Sequence, residues 1–330
     1  MRRIGLAVIV ALSLFVAPLA VVAQQSGKVS RIATIASGAP PVPAGQGPFY
    51  DRLRELGWIQ GRDIIAERRA YGDQIDRIPE LAAELMRTGV DIFVVEGASD
   101  AERVQRATRD IPIVTSRAGD IVLAGLAASL ARPGGNVTGI QTLQPDLIPK
   151  HLSLLKEAFP RLVRAGILLQ QSSAETGPIF RDVRRQAEAG AKALGIRLQS
   201  LTIHGGDELQ SAFAAFKSAR AEAVVVVRSQ YLSTHMNTVT DLALKHRLPT
   251  ISDSDRFASR GGLMSYGYDF RETQRAAADI VDKILRGAKP SDIPIQQATV
   301  FHLVVNLKTA KALSLTMPPS ILVRADEIIQ

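Results

Sequence analysis

The side chains of this chain that could do chemistry stand one step beyond runs of β-branched residues. Ser37 and Gly38 follow one run, Gly97, Ser99 and Asp100 another, and Ser116, Arg117 and Asp120 a third. Further along, Gln170 and Ser172 follow a fourth, Arg228, Ser229 and Tyr231 a fifth, and Asp253, Ser254 and Asp255 a sixth. Small hydroxyls and free amides ahead of helices hold carboxylates and other anions, whereas Asp120 or Asp253 can hold an ammonium. Tyr231, Tyr266 and Phe257 can supply apolar walls. Arg228, at a strand end, must meet either a ligand or a structural acid. This is the chemistry of holding a small molecule, although Ser and Asp in such places also serve as helix N-caps.

Spacings that break and make bonds are missing. There is no G-x-x-x-x-G-K-[ST] loop for a nucleoside triphosphate, no G-x-S-x-G elbow and no S-x-x-K in a penicillin-binding setting. GQGPFY at 45–50 opens like a dinucleotide fingerprint but has Tyr50 where the third glycine is needed and Pro48 where a helix-opening amide should be. His151, His204, His235, His246 and His302 show no H-x-x-x-H spacing, and none has an acidic ligand at a helical offset from a second histidine, so no metal site is expected. With no cysteine at all, thiol nucleophiles, cysteine-bound metals and lipid attachment through a cysteine are excluded. No cofactor is expected.

Forty Lys and Arg against 32 Asp and Glu give a net charge of +8, which raises the question of nucleic acid. The charges answer it. Bases and acids alternate, as in Asp51, Arg52, Arg54 and Glu55, and no basic block with interleaved aromatics occurs, so a solvated basic surface is expected and nucleic acid is not.

The elements that must position the polar loops follow from periodicity. Strands are expected at 31–37, 64–71, 90–96, 111–116, 137–141, 165–170, 197–203, 223–228, 249–253 and 299–305. Helical patterns lie between most of them, such as Leu152, Leu155, Phe159 and Leu162, or Ala277, Ile280, Ile284 and Leu285. Alternation of this kind means α/β architecture with parallel sheets covered on both faces. The chain of 330 residues exceeds one ordinary core, so two doubly wound lobes are expected. Turn-rich breaks at 131–139 and 259–267, with a third at 287–294, mark a hinge of several crossovers. The lobes are thus expected at 24–138 with 263–295 and at 139–262 with 296–330, with a ligand cleft at the carboxyl ends of the strands.

At the N-terminus, Arg2 and Arg3 precede an uncharged apolar stretch over 4–22, and Val21 and Ala23 place small residues at −3 and −1 before Gln24. That is the pattern of a secretory signal peptide over 1–23, cleaved after Ala23, with retention as an anchor the alternative. Export to the periplasm removes cytoplasmic nucleotide cofactors from consideration.

Several segments carry a likeness: ELGWIQGR at 55–62, SLARPGGNVTG at 129–139, GLMSYG at 262–267, RGAKP at 286–290, VNLKTAKAL at 305–313 and PPSILVRADEI at 318–328. Together they resemble the ABC transporter substrate-binding proteins of type I periplasmic-binding fold, some of which are thought to carry tryptophan or other amino acids. The resemblance spans essentially the whole chain beyond the signal segment. It implies a two-lobed, monomeric flytrap with three crossovers and no catalytic residue, which presents a small-molecule ligand to an inner-membrane ABC permease and its ATPase. The matching motifs are mainly turns and the C-terminal closure, and the chain departs from the family in the loops after 37, 170 and 228. The implied role is therefore clearer than the ligand. An exported sensor module and an exported hydrolase using Ser99 or Ser116 are the alternatives. A transcription regulator of this fold would need a DNA-binding helix-turn-helix where the signal segment stands.

Overall fold

The computed structural model describes residues 29–37, 43–72, 74–142, 144–170, 178–205 and 208–330. The signal segment, Gly38 and Ser172 lie outside the described residues.

Two sheets organise the chain. The first is built from β1 (Ser30–Ala36), β2 (Ile64–Ala70), β3 (Ile92–Val95), β4 (Ile113–Ala118) and β5 (Val137–Gln141), with the short β11 (Gln296–Gln297) at its edge, in the order β11-β5-β4-β3-β1-β2. All its pairings are parallel. Helices α1 (Pro48–Glu55) and α9 (Phe270–Leu285) cover one face, and α2 (Ile78–Arg87) and α3 (Ala98–Ala107) the other. The second sheet runs β13-β12-β10-β9-β8-β6-β7. Its strands are β6 (Arg164–Gln170), β7 (Arg197–Ile203), β8 (Ala223–Val226), β9 (Thr250–Ser252), β10 (Met264–Tyr268), β12 (Phe301–Asn306) and β13 (Glu327–Ile329). Only β10 and β12 pair antiparallel. One face is covered by α4 (Gln144–Ala158), α5 (Pro178–Ala193), α10 (Leu307–Ala312) and α11 (Pro319–Arg324). On the other face, α6 (Glu208–Ser218) and α8 (Met236–Lys245) complete the layer, with α7 (Gln230–Thr234) at its entry. The unbroken apolar runs of β3 and β8 are buried throughout, as strands with helices on both faces must be.

In both sheets the chain order reverses beside the first strand: β1 lies between β2 and β3, and β6 between β7 and β8. Connections on either side of such a reversal leave in opposite directions, so the loops splay and open a crevice at the carboxyl ends. The loops after β1, β3, β6 and β8 are thereby singled out by topology alone.

The chain crosses between sheets after Gln141, at Asp269 and after Gln297, which moves the boundaries expected from the sequence. Residues 139–141 complete β5 in the first sheet, 264–268 form β10 in the second, and 296–297 return to the first. The break expected at 259–267 is a turn through Gly261, at φ 105°, and a strand from Met264 on, where Gly267 serves packing. A Cβ on Gly267 would lie 2.2 Å from the carbonyl oxygen of Asp253. Gly139 answers to the same need inside β5, where a Cβ would stand 2.3 Å from the Thr115 carbonyl oxygen. Asp269 opens α9 at the second crossover by accepting from the amides of Arg271 and Glu272 at 2.7 and 3.3 Å. The helix is then tied to the first lobe by Arg52 to Asp279 and Trp58 to Asp282, each at 2.8 Å.

The Gly267 contact yields a test. Gly267→Ala should lower the unfolding free energy by about 2–3 kcal/mol in urea titration, because a backbone atom rather than a flexible side chain must give way. A loss below ~0.5 kcal/mol would show that the strand tolerates the methyl group.

Candidate functional site

A cavity of about 380 Å³ lies between the two sheets, and its walls are the loops that the strand reversals splay apart. The first lobe contributes Ser37 after β1, Tyr71 after β2, and Glu96, Gly97, Ser99 and Asp100 around the start of α3. The second contributes Gln170 at the end of β6, Val227 to Ser229 after β8, and Arg256 beyond β9. Its apolar lining includes Ile75 and Leu123 from the first lobe and Leu169, Phe180 and Val183 from the second.

Asp100 is the most enclosed acid of the site, 4% exposed. It occupies the third position of α3 and reaches back to accept from the Gly97 amide at 3.2 Å, a capping-box arrangement, while Tyr71 donates its hydroxyl at 3.0 Å. Burial, and then the charge of Glu96, push its carboxyl up to about 6 against the pull of those two donors and of Arg103. Burial, and then Asp100, likewise raise the Tyr71 hydroxyl well above its ordinary value. Glu96 behaves differently. Burial pushes it up, but Arg117 at 3.1 Å, helped by Arg228 and Arg256 across the cavity, outweighs burial and holds it below the usual carboxylate range. The Arg117 guanidinium also lies over the Phe270 ring at 5.3 Å, and its buried Nε has no partner among the described residues.

Arg228 finds the structural acid that its position required. Its amide donates to Asp253 at 2.9 Å and its Nε at 3.2 Å, and Asp253 is 7% exposed. Arg117 and Arg228 both extend into a second, much smaller cavity beneath the first, lined also by Asp253, Asp255, Tyr268 and Phe270 where crossovers pass. The floor of the cleft is thus a set of ion pairs contributed by both sheets.

Of the residues expected at the site, Ser37, Gly97, Ser99, Asp100, Gln170 and Arg228 line the cavity together. The other described ones do not. Ser116 is buried at 1%, because the β4–β5 register shifts between Thr115 and Ala118 and its neighbour Arg117 is the one that lines the cavity. Asp120 caps its own loop, accepting from the Leu123 amide at 2.9 Å. Tyr231 stacks on His235 with ring centroids 4.1 Å apart. Asp253 lies beneath the cavity, holding Arg228. Tyr266 packs in the second core against His151 and Phe301. Tyr71 and Glu96 went unnoticed in the sequence because the expected strands, one residue too long, absorbed them. They stand directly after β2 and β3, so the rule that found Ser37 applies to them as well. Phe180 and Arg256 carry no sequence signal: a phenylalanine opening an amphipathic helix reads as core, and a loop arginine as solvated surface.

Two parallel-strand sheets meeting at a shared crevice define a two-lobed protein of the periplasmic-binding type. The chain belongs to the ABC transporter substrate binding protein family, whose model matches residues 39–329. A curated relative, the tyrosine-binding protein of Clostridioides difficile, is 23% identical over 276 residues, 84% of this chain and 78% of its own length. Among solved structures, a conserved domain protein from Vibrio cholerae superposes with a TM-score of 0.81 at 24% identity, covering 91% of this chain and all of its own. A Streptococcus pneumoniae ABC domain in complex with L-Trp superposes at 0.80 with 22% identity, covering 92% of this chain and all of its own. Among the described residues no helix is long and apolar enough to cross a membrane.

Asp100 gives the site a pH signature. A folded-state value raised from 3.8 to about 6 favours the protonated protein; that stability is complete below the unfolded value and is lost as pH rises through the folded one. Asp100→Asn, uncharged throughout, should therefore stabilise the ligand-free protein by up to ~3 kcal/mol near pH 7.5 and by much less near pH 4.5, measured by urea unfolding at the two values. An equal effect at both would show that Asp100 is not held uncomfortably charged.

Proposed function

We propose that the protein is the periplasmic solute-binding component of an ABC importer, closing its lobes on a small molecule with a polar head and an apolar body, of the amino-acid or aromatic-acid class. The observation that carries this reading is a cavity between the two sheets to which both lobes contribute polar and apolar residues. Such a ligand makes its full set of contacts only when the lobes approach, so its differential affinity for the closed form shifts the open–closed equilibrium. Residues 29–141 with 270–298 act as one lobe and 144–268 with 301–330 as the other. Ser37, Gly97, Ser99, Asp100, Gln170 and Arg228 contact the ligand, and the closed form is what the permease and its ATPase recognise. The tyrosine of the curated relative's name and the L-Trp of the Streptococcus pneumoniae complex support the amino-acid class. Residues 1–23 direct export and are removed after Ala23. The protein itself performs no chemistry on its cargo.

Mature protein, unfolded and refolded to remove retained solute, should gain thermal stability with an aromatic or large apolar amino acid. At 100 times the dissociation constant the gain is about 2.7 kcal/mol, several degrees in melting temperature. No stabilisation by any member of a broad solute library, cell extract included, would sink the binding role.

A further inference from the structure

Six charged side chains line the cavity: Glu96, Asp100, Glu102, Arg117, Arg228 and Arg256. Most are neutralised by the protein itself. Glu96 is paired with Arg117 at 3.1 Å, Arg228 with Asp253 at 3.2 Å, and Glu102 with Arg106 at 2.6 Å. Asp100 and Arg256 are the exceptions. The Asp100 carboxyl receives the Tyr71 hydroxyl and the Gly97 amide but forms no ion pair among the described residues, and Arg103 acts on it only at longer range. The Arg256 guanidinium makes no hydrogen bond or ion pair among the described residues, and its charge acts on Glu96 only at longer range.

These two charges are of opposite sign and belong to opposite walls. Asp100 rides on the first turn of α3 in the first lobe, and Arg256 on the loop after β9 in the second. An enclosed carboxyl without a counter-ion is costly, and the fold has supplied an arginine to its neighbour Glu96 while leaving Asp100 without one. Arg256 presents a planar guanidinium fork suited to a carboxylate.

We propose that Asp100 and Arg256 are the split counter-ions of a zwitterionic ligand, the ammonium meeting Asp100 on one lobe and the carboxylate meeting Arg256 on the other. This deepens the solute-binding reading and rests on it. A molecule with only one of the two charges satisfies one wall and leaves the other unpaired, so the pair acts as a coincidence detector for closure. The ion pairs beneath keep Arg117 and Arg228 from competing for the same carboxylate.

The test is calorimetry on refolded mature protein with L-phenylalanine, L-tyrosine, L-tryptophan and L-leucine. The tightest binder is then compared with its decarboxylated amine and its deaminated acid. Wild type should bind both single-charge analogues at least about 30-fold more weakly than the parent amino acid. Asp100→Asn should lose a similar factor for the amino acid while leaving the deaminated acid within about threefold, and Arg256→Gln should do the reverse, sparing the amine. The retained analogue in each case shows that the variant is folded. An amino-acid affinity unchanged in either variant, or a single-charge analogue bound as tightly as the parent, overturns the assignment. Wild type that binds some other solute but none of these amino acids also overturns it while leaving the solute-binding reading intact; wild type that binds no solute removes both.

Discussion

Parallel strands cannot be joined by tight turns, and every other feature of this protein depends on that constraint. Each strand must hand the chain to a helix that returns it to the starting edge, so the connections gather at the carboxyl ends. Where strand order reverses, beside β1 and beside β6, those connections part. The two crevices face one cavity because the chain threads between the sheets three times, after Gln141, at Asp269 and after Gln297. The residues lining the cavity therefore come from segments far apart in sequence, and Ser37, Asp100, Gln170 and Arg256 meet without any of them belonging to a common motif.

The same geometry organises the charges. Ion pairs in the cavity lining and directly behind it, Glu96 with Arg117 and Arg228 with Asp253, satisfy buried groups and hold the loops that carry them. Gly267 allows the Asp253 backbone to approach β10 within contact distance, which keeps the segment leading to Arg256 close to the second crossover. Above this neutralised floor the walls retain an acid in one lobe and a base in the other. In the proposed reading, the stability given up by burying Asp100 serves recognition of a cation there, as functional sites commonly require.

Much of this was legible in the residues. Apolar runs such as 223–227 and the helical spacing of Ala277, Ile280, Ile284 and Leu285 place strands and helices within a residue or two of where they stand. The polar loops after strands are the loops of the cavity. What sequence does not carry is which side chain of a loop faces inward. A register shift between Thr115 and Ala118 puts Ser116 in the core and Arg117 in the cavity, and stacking on His235 accounts for Tyr231. Nor does it reveal a strand that contains the glycine of a close approach: β10 reads as part of the turn before it because Gly267 follows so soon after Gly261 and Gly262. Edge strands as short as β11 and β13 give periodicity nothing to work with.

Closure of the two lobes around a solute is the central claim, and the absence of native cysteine allows it to be read directly. Cysteines introduced at the exposed positions Arg77 in the first lobe and Glu188 on α5 of the second can carry a pair of spin labels. Pulsed dipolar spectroscopy should find a distribution that shortens and narrows when the amino acid that most stabilises the protein is added at saturation. A distribution unchanged by that solute would contradict closure, and with it the account of the cavity as a site completed by both lobes.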